Sequence, residues 1–187
     1  MNREIQNSVE ALKNGKTILY PTDTVWGIGC DATNQKAVQN IYRIKQRSES
    51  KSLIVLLDDI SRLEQYIEEV PEIAYDLIES ITTPLTIIYP NAKNLAKNVV
   101  AKDRTIAIRI TRDKLCRQII SRFGKPIVSS SANISGGEIP IVFSQVPEEI
   151  KQGVDYVVNL YHNRISDTKP STIIKLEING EFKMIRD

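Results

Sequence analysis

Residues 20–29 have the sequence Tyr20-Pro21-Thr22-Asp23-Thr24-Val25-Trp26-Gly27-Ile28-Gly29, directly after an apolar run that begins at Thr17. The run predicts a short strand that ends at the proline, because proline cannot donate to a strand ladder. Three short oxygen-bearing side chains follow, and two glycines permit a close backbone approach to a ligand. The stretch therefore predicts a strand and then a binding corner, although local Asx and Ser/Thr turns would explain the same residues. It matches no simple phosphate-loop pattern.

Helical and strand patterns alternate along the rest of the chain. Helices are predicted at 5–12, 37–44, 63–66, 73–81, 115–123 and 147–153, and strands at 17–20, 53–57, 85–89, 106–110, 126–128 and 156–158. The apolar runs 171–178 and 182–186 predict a terminal hairpin, and Asn179-Gly180 between them favours a type I′ turn. Interleaved elements with an antiparallel hairpin predict an α/β fold with a twisted sheet, mixed parallel and antiparallel, flanked by helices.

Composition narrows the class of protein. A chain of 187 residues favours a single domain over 1–187. Its net charge of +2 is too small for a general attraction to polyanions such as nucleic acids. Cys30 and Cys116 lie far apart and His162 is the only histidine, so we expect reduced thiols and no metal site in the protein itself. The N-terminus lacks the apolar segment of a signal peptide, and no apolar run approaches the ~20 residues of a membrane span. The expected location is cytoplasmic.

Three cations stand close together at the end of the second predicted helix. Lys45, Arg47 and Lys51 fall within seven positions. A solvated basic face is the simpler explanation, because cations are favoured at a helix C-terminus. The functional alternative is phosphate binding, in which arginine offers a bidentate fork and lysine a point charge.

An arginine interrupts the apolar strand 106–110. Strand alternation places Arg109 on one face with Thr105 and Ala107, so Thr105 and Arg109 are expected to face the same cleft. A buried arginine needs a partner, which a bound anion or a structural salt bridge would supply.

Residues 129–136, Ser129-Ser130-Ser131-Ala132-Asn133-Ile134-Ser135-Gly136, are expected to form a loop after a strand. Such a loop presents hydroxyl and backbone N–H groups to phosphate oxygens, or is simply a serine-rich turn. A serine hydrolase is a weak alternative, because the G-x-S-x-G pattern is missing and His162 lies in a polar loop. Ser171, in the sequence Lys169-Pro170-Ser171-Thr172, and Arg186 could close the site from another side.

Taken in order, these motifs resemble the YrdC-like family of threonylcarbamoyl-AMP synthases, in its short, single-domain form. The resemblance rests on residues 21–29, Lys45-Gln46-Arg47, Arg109, Ser131-Ala132-Asn133 and Ser171-Thr172, and it spans 14–186. It implies a YrdC-like fold with a basic concave cleft. It also implies a nucleotidyltransferase that makes L-threonylcarbamoyladenylate from L-threonine, bicarbonate and ATP, and releases pyrophosphate. This is the first step of threonylcarbamoyladenosine formation next to the tRNA anticodon, completed by a separate transferase.

The resemblance also assigns roles to individual residues. Threonine would be held by Thr24, Arg109, Ser129 and Ser171, and ATP by Arg47, Lys51, Thr105, Ser131, Asn133 and Arg186. Lys45 and Arg47 are the expected catalytic cations, with Mg²⁺ accompanying ATP, and double-stranded RNA could contact the basic cleft. Trp26 replaces the usual tyrosine as an aromatic wall, and Leu56 stands where some members have a threonine-contacting histidine.

Two other functions remain open at this stage. One is an RNA-binding module without synthase activity, which the low net charge and the lack of an aromatic-rich strand motif disfavour. The other is a YciO-like paralogue. Its Lys-x-Arg and Ser-x-Asn positions tend to be changed, whereas both are intact here.

Overall fold

The computed structural model describes residues 1–164 and 170–187. Five α-helices are described: α1 (Asn2–Lys13), α2 (Gln35–Ile44), α3 (Ile73–Ser80), α4 (Lys114–Phe123) and α5 (Glu148–Gly153). Nine strands alternate with them: β1 (Ile18–Tyr20), β2 (Gly27–Gly29), β3 (Ile54–Leu57), β4 (Leu85–Tyr89), β5 (Ile106–Ile110), β6 (Ile127–Ser131), β7 (Tyr156–Val157), β8 (Thr172–Leu176) and β9 (Phe182–Arg186). Short 3₁₀ turns cover Ile60–Gln65 and Phe143–Gln145.

All nine strands join in one sheet, in the order β7-β1-β2-β6-β3-β5-β4-β8-β9. The pairs β1–β7, β3–β5 and β4–β8 are parallel, and the other neighbouring pairs are antiparallel. The prediction of a mixed sheet flanked by helices is therefore confirmed.

Two hydrophobic clusters cover the two faces of the sheet. The larger cluster packs α2, α3 and α5 against one face, through side chains such as Ile41, Ala74 and Ile150. The smaller cluster packs α1 and α4 against the other face, around Leu12 and Ile119. Both helices of the smaller cluster lie toward the β1–β3 side of the sheet, and this leaves part of that face uncovered.

The helices begin and end where local chemistry favours it. The side chain of Asn34 accepts hydrogen bonds from the N–H groups of Lys36 and Ala37 at the start of α2, and Asp113 caps α4 in the same way. Short polar side chains at these positions satisfy amide groups that the first turn leaves unpaired. The predicted end of the fourth α-helix at residue 123 is confirmed, and Gly124 follows it with φ 80°, a left-handed conformation that favours glycine.

Three sequence expectations about loops are wrong. Residues 27–29 form strand β2, and Ser129 to Ser131 belong to strand β6. Gly29 is needed for strand packing, since a Cβ there would lie 2.2 Å from the Val128 carbonyl oxygen. The terminal turn is not type I′, because Gly180 has a positive φ of 85° whereas its neighbour Asn179 does not. A type I′ turn needs positive φ at both central residues.

Strand β9 is an edge of the sheet and pairs on one side, with β8. All five of its residues are exposed, among them Phe182 and Met184, which are 55% and 52% exposed. Among the described residues, no helix has both the length and the apolar character that a membrane span requires. Cys30 and Cys116 are buried free thiols, as predicted.

Candidate active site

A cavity of about 270 Å³ lies over the uncovered part of the sheet face. Its floor includes Ile54, Ala107 and Arg109 from β3 and β5. Arg109 pairs in register with Leu56, which belongs to the α1–α4 cluster, so both side chains project from the same face. Seven of the predicted site residues line this cavity: Thr24, Arg47, Arg109, Ser129, Ser131, Ser171 and Arg186.

Arg109 lies at the centre of the cavity floor and is only 5% exposed. Its Nη1 donates to Thr24 Oγ1 at 3.2 Å, and its Nη2 lies 3.1 Å from Asp23 Oδ1. The Nε group is buried and has no hydrogen-bond partner. A guanidinium has five N–H donors, so Arg109 can donate further hydrogen bonds to a bound acceptor, and its paired N–H groups match the two oxygens of a carboxylate.

Residues 21–24 hold Arg109 in place through Asp23 and Thr24. Thr22 Oγ1 donates to the Val25 carbonyl at 2.7 Å and lies 3.1 Å from Thr24 Oγ1, which fixes the Thr24 hydroxyl beside Arg109. Asp23 belongs to the sequence motif at 20–29, but the motif predicts no role for it. In the structure it is the counter-ion of Arg109, a long-range partnership that no sequence spacing reveals.

The terminal hairpin forms another side of the cavity. Arg186 donates from Nη2 and Nε to the Ser171 carbonyl, at 2.7 and 3.1 Å. The hydroxyl of Ser171 lies 2.7 Å from Thr86 Oγ1, so both serine groups are held in place. Burial, together with the positive charge of Arg109, lowers the pKa of Arg186. The cavity thus holds like charges close together, an arrangement that a bound anion would stabilise.

Arg47 reaches the cavity from the segment after α2. Its guanidinium donates to the carbonyl groups of Lys51 and Ser52, at 3.1 and 2.8 Å. Burial lowers its pKa. Lys51 itself is exposed and does not line the cavity. Arg47 therefore organises the 47–52 segment and also contributes a positive charge to the cavity wall.

Several other predicted residues lie outside the cavity lining. Thr105 donates its hydroxyl to Asp103 at 2.7 Å, at the start of β5. Asn133 is buried, and its Nδ2 donates to the Gly137 carbonyl at 2.7 Å. Lys45 is 1% exposed, and its ammonium donates to oxygens of Ser131 and Asn133. Asn133 and Lys45 therefore do not line the cavity, but both contact the segment that begins at Ser131, which does.

Two aromatic expectations change with the structure. Trp26 does not form a wall of the cavity; it is buried in the opposite cluster, with its ring 5.0 Å from that of Phe143. His162 stacks on Phe143 at 4.0 Å, and its Nε2 lies 3.2 Å from the Val158 carbonyl. It does not line the cavity that contains the serines, which argues against a serine hydrolase. Leu56 is fully buried beneath α4.

Apolar lining residues were missed because a single sequence does not show which strands are neighbours. Ile88, Ile173 and Ile185 all border the cavity. Strand alternation identifies one face of each strand, but the order β3-β5-β4-β8 that brings these faces together depends on tertiary packing. Lys169, part of one predicted motif, lies outside the described residues.

A second cavity of about 390 Å³ contains none of the predicted site residues. It is lined by Asp23, Arg112, Asp113, Lys114 and Arg164, among others. Arg112 is occupied there by the carbonyl groups of Ile78 and Thr82, and Arg164 by Asp113. Arg112 and Arg164 thus have structural partners, and because the predicted site residues line the other cavity, that one is the candidate active site.

The mixed sheet with an arginine-lined cavity over one face defines an α/β protein with a candidate anion-binding cavity. The Sua5/YciO/YrdC family model, whose description is "Telomere recombination", matches residues 10–187. The chain belongs to this family.

Similar proteins extend the comparison. The threonylcarbamoyl-AMP synthase of Pseudoalteromonas translucida strain TAC 125 is 34% identical over 180 residues, which cover 95% of each protein. The threonylcarbamoyl-AMP synthase of Vibrio vulnificus strain YJ016 is 31% identical over 161 residues, 84% of this chain and 87% of that protein.

Two solved structures have the same fold. Pyrococcus abyssi Sua5, solved in complex with L-threonine, superposes with a TM-score of 0.83 at 28% identity, over 92% of this chain. This chain spans 50% of that Sua5 chain, about half of its length. Escherichia coli YciO superposes with a TM-score of 0.86 over 100% of this chain and 90% of its own, at 24% identity, and supports the fold alone.

Proposed function

We propose that this protein is an L-threonylcarbamoyladenylate synthase, which uses L-threonine, bicarbonate and ATP and releases pyrophosphate. One observation carries the proposal: Arg47, Arg109 and Arg186 line a single cavity together with hydroxyl groups. The described residues that line it include no carboxylate and no histidine. Such a cavity favours binding of anions over acid–base or nucleophilic chemistry by a side chain.

The threonine subsite is proposed around Arg109. The substrate carboxylate would accept from the guanidinium, whose Nε is unpartnered. The hydroxyls of Thr24, Ser129 and Ser171 stand on the surrounding walls. Ser171 is 3% exposed and linked to Thr86, so its position costs little further ordering when a ligand binds. The threonine complex of the Pyrococcus abyssi relative supports this choice of ligand.

The ATP subsite is proposed along Arg47, Ser131 and Arg186. Arg47 and Arg186 approach the cavity from different elements and would neutralise phosphate charge from two directions. Thr105 and Lys51 do not line the cavity and would reach ATP only where it extends beyond it. Asn133 would contribute through the shape of the segment that follows β6.

The proposed reaction needs positioning and charge neutralisation. The threonine amine adds to bicarbonate, and loss of water gives a carbamate. A carbamate oxygen then attacks the α-phosphorus of ATP while the bond to pyrophosphate breaks. The arginines that line the cavity would stabilise the negative charge that develops on pyrophosphate as it leaves. Exclusion of water protects the labile carbamate and adenylate.

Mg²⁺ is proposed as a companion of ATP. The described part of the chain contains no group of three or more histidine, cysteine or acidic side chains that could hold a metal ion. The cavity therefore gives Mg²⁺ no ligand set of its own, and phosphate oxygens and water are the ligands that this ion prefers. We derive no step of the reaction through it.

The product would serve a separate transferase that modifies the adenosine next to the tRNA anticodon. We propose action in the cytoplasm as one domain over 1–187. An RNA-binding module or a YciO-like paralogue would share this fold, but the intact Lys45-Gln46-Arg47 and Ser131-Ala132-Asn133 favour the synthase. Direct contact of double-stranded RNA with the arginine-lined cavity is a separate proposal, which a binding assay with and without ATP would test.

Pyrophosphate release by the purified protein tests the proposed function. ATP, Mg²⁺ and bicarbonate are supplied with L-threonine, with L-serine or with no amino acid. Release that needs both threonine and bicarbonate is the expected result. Folded protein that binds ATP but shows no threonine-dependent release would overturn the synthase and favour the paralogue or the RNA-binding module.

A further inference from the structure

Lys45 is a fully buried cation at the C-terminal end of α2. Only 1% of the residue is exposed. A lysine is rarely buried to this extent without partners, because removing its charge from water is costly. The ammonium therefore needs a specific environment that repays this cost.

Three oxygen atoms surround the Lys45 ammonium. It donates to the Ser131 carbonyl, to the Asn133 carbonyl at 2.8 Å and to the Asn133 Oδ1 at 3.3 Å. Three N–H donors thus meet three acceptors, the full capacity of the charged group. Burial, together with the nearby Arg47 charge, lowers the pKa of Lys45 to about 7. Hydrogen bonds donated by an ammonium group in general favour its charged form.

The segment that Lys45 contacts is held by further bonds to the same region. Ser131 Oγ donates to Asn133 Oδ1 at 2.6 Å. The Ser135 N–H donates to the Lys45 carbonyl at 2.8 Å, and the Ala132 N–H donates to the Trp26 carbonyl at 2.8 Å. Both ends of Lys45, its backbone and its side chain, thus bind residues 131–135. We call residues 131–137 the Ser-Asn segment.

We infer that Lys45 is a positioning residue: its ammonium fixes the Ser-Asn segment in the shape that presents Ser131 to ATP. The inference rests on the proposed function for its ATP-binding part. It replaces the expected role of Lys45 as a charge at the phosphates, because Lys45 does not line the cavity whereas Arg47 does. The two cations of the Lys-x-Arg motif therefore have different roles. Lys45 holds the Ser-Asn segment in place, and Arg47 lines the cavity in which ATP would bind.

Backbone hydrogen exchange of the ligand-free protein tests the positioning step. Lys45→Met keeps the length of the side chain and removes the charge and the donors. Exchange at 131–137 should rise at least about tenfold, since each hydrogen bond to a charged group stabilises by roughly 1.5–3 kcal/mol. Exchange in α4, on the other face, should stay unchanged. Arg43→Met is the matched control, because it removes one exposed cation from the last turn of α2.

ATP binding and steady-state kinetics test the consequence for function. Lys45→Met should weaken ATP binding about tenfold or more and raise KM for ATP much more than KM for threonine. Its effect on ATP affinity should be strongly non-additive with that of Asn133→Ala, because both variants release the same segment. A general loss of stability would change both KM values together.

The outcomes separate the inference from the proposed function. Unchanged exchange at 131–137, with an ATP defect additive to that of Asn133→Ala, would overturn the inference and return Lys45 to the phosphates. Faster exchange in a protein that binds ATP but releases no pyrophosphate would support positioning and reject the synthase. If Lys45→Met does not fold, Lys45→Gln, which keeps two N–H donors, takes its place. Exchange at 131–137 in Lys45→Gln should exceed that of the wild type, by less than the tenfold expected for Lys45→Met. Unchanged exchange in that variant would also count against the inference.

Discussion

Replacing Arg109 with methionine should damage the use of threonine far more than the binding of ATP. In the folded protein, two of its guanidinium nitrogens already contact Thr24 and Asp23, and the buried Nε remains for a ligand. One charge-assisted hydrogen bond to the substrate carboxylate is therefore lost, which corresponds to roughly 1.5–3 kcal/mol. KM for threonine should rise about 10- to 150-fold, with KM for ATP changed less than about threefold.

The same substitution also leaves Asp23 without its cation. Breaking a buried ion pair by removing one partner costs roughly 3–5 kcal/mol. The Asp23 side chain is 22% exposed although its Oδ1 is buried, so water would solvate only part of the carboxylate and the loss of stability should lie near the lower end of that range. The double variant Asp23→Asn/Arg109→Met serves as the control. It removes the unpaired charge and should recover most of the stability without recovering threonine use.

Pyrophosphate release measured against each substrate in turn, with urea unfolding of the same samples, gives both quantities. Equal rises in KM for threonine and ATP would refute the assignment of Arg109 to the threonine carboxylate. Recovery of threonine use in the double variant would refute it as well, because the defect would then come from the stranded Asp23 charge.

Three further predictions concern stability and reactivity. Gly29→Ala should lower the free energy of unfolding, measured in urea titrations, by about 1–3 kcal/mol or more. The reason is that a Cβ would lie 2.2 Å from the Val128 carbonyl oxygen. An unchanged free energy of unfolding would mean that β2 and β6 can move apart at little cost. Burial raises the pKa of the thiols of Cys30 and Cys116 well above the usual value; neither should react with iodoacetamide until urea unfolds the protein, and rapid alkylation of the folded protein would contradict this. The pKa of Lys45 is lowered to about 7, so above that pH the unfolded chain holds one more proton than the folded chain, in which the neutral amine keeps two N–H donors for the Ser-Asn segment. The stability of wild type relative to Lys45→Met should therefore rise by at most ~1.4 kcal/mol per pH unit from about pH 7 towards pH 10. A stability difference that does not change with pH would show that the three oxygens keep the lysine charged.

Local chemistry made much of the fold predictable. The strands at 85–89 and 106–110 were predicted with their observed bounds, since continuous apolar runs between turn residues leave few alternatives. The end of α4 was predictable from Gly124, because a left-handed residue there strongly favours glycine. Strand β2 was missed: it has three residues, two of them glycines, and it is stabilised by its neighbours β1 and β6, not by its own sequence.

The candidate site was predictable as a set of residues but not as an arrangement. The motif order identified Arg109, on β5, and Ser171, directly before β8. They line one cavity although β4 lies between these two strands. The sequence could not show that Asp23 pairs with Arg109 or that Lys45 lies outside the cavity lining. Both facts depend on contacts between distant parts of the chain, where burial decides which polar groups must find each other.

The position of Arg186 on β9 has a consequence for access to the cavity. This arginine stands on an edge strand whose residues are all exposed, so few buried contacts hold that wall in place. Separation of β9 from β8 breaks the pairing of one exposed strand and should cost less than unfolding the core, whereas Ile174 and Leu176 anchor β8 in the larger hydrophobic cluster. Under the proposed function, fraying of β9 would open the Arg186 side of the cavity for exchange of ligands, while the sheet beneath remains intact.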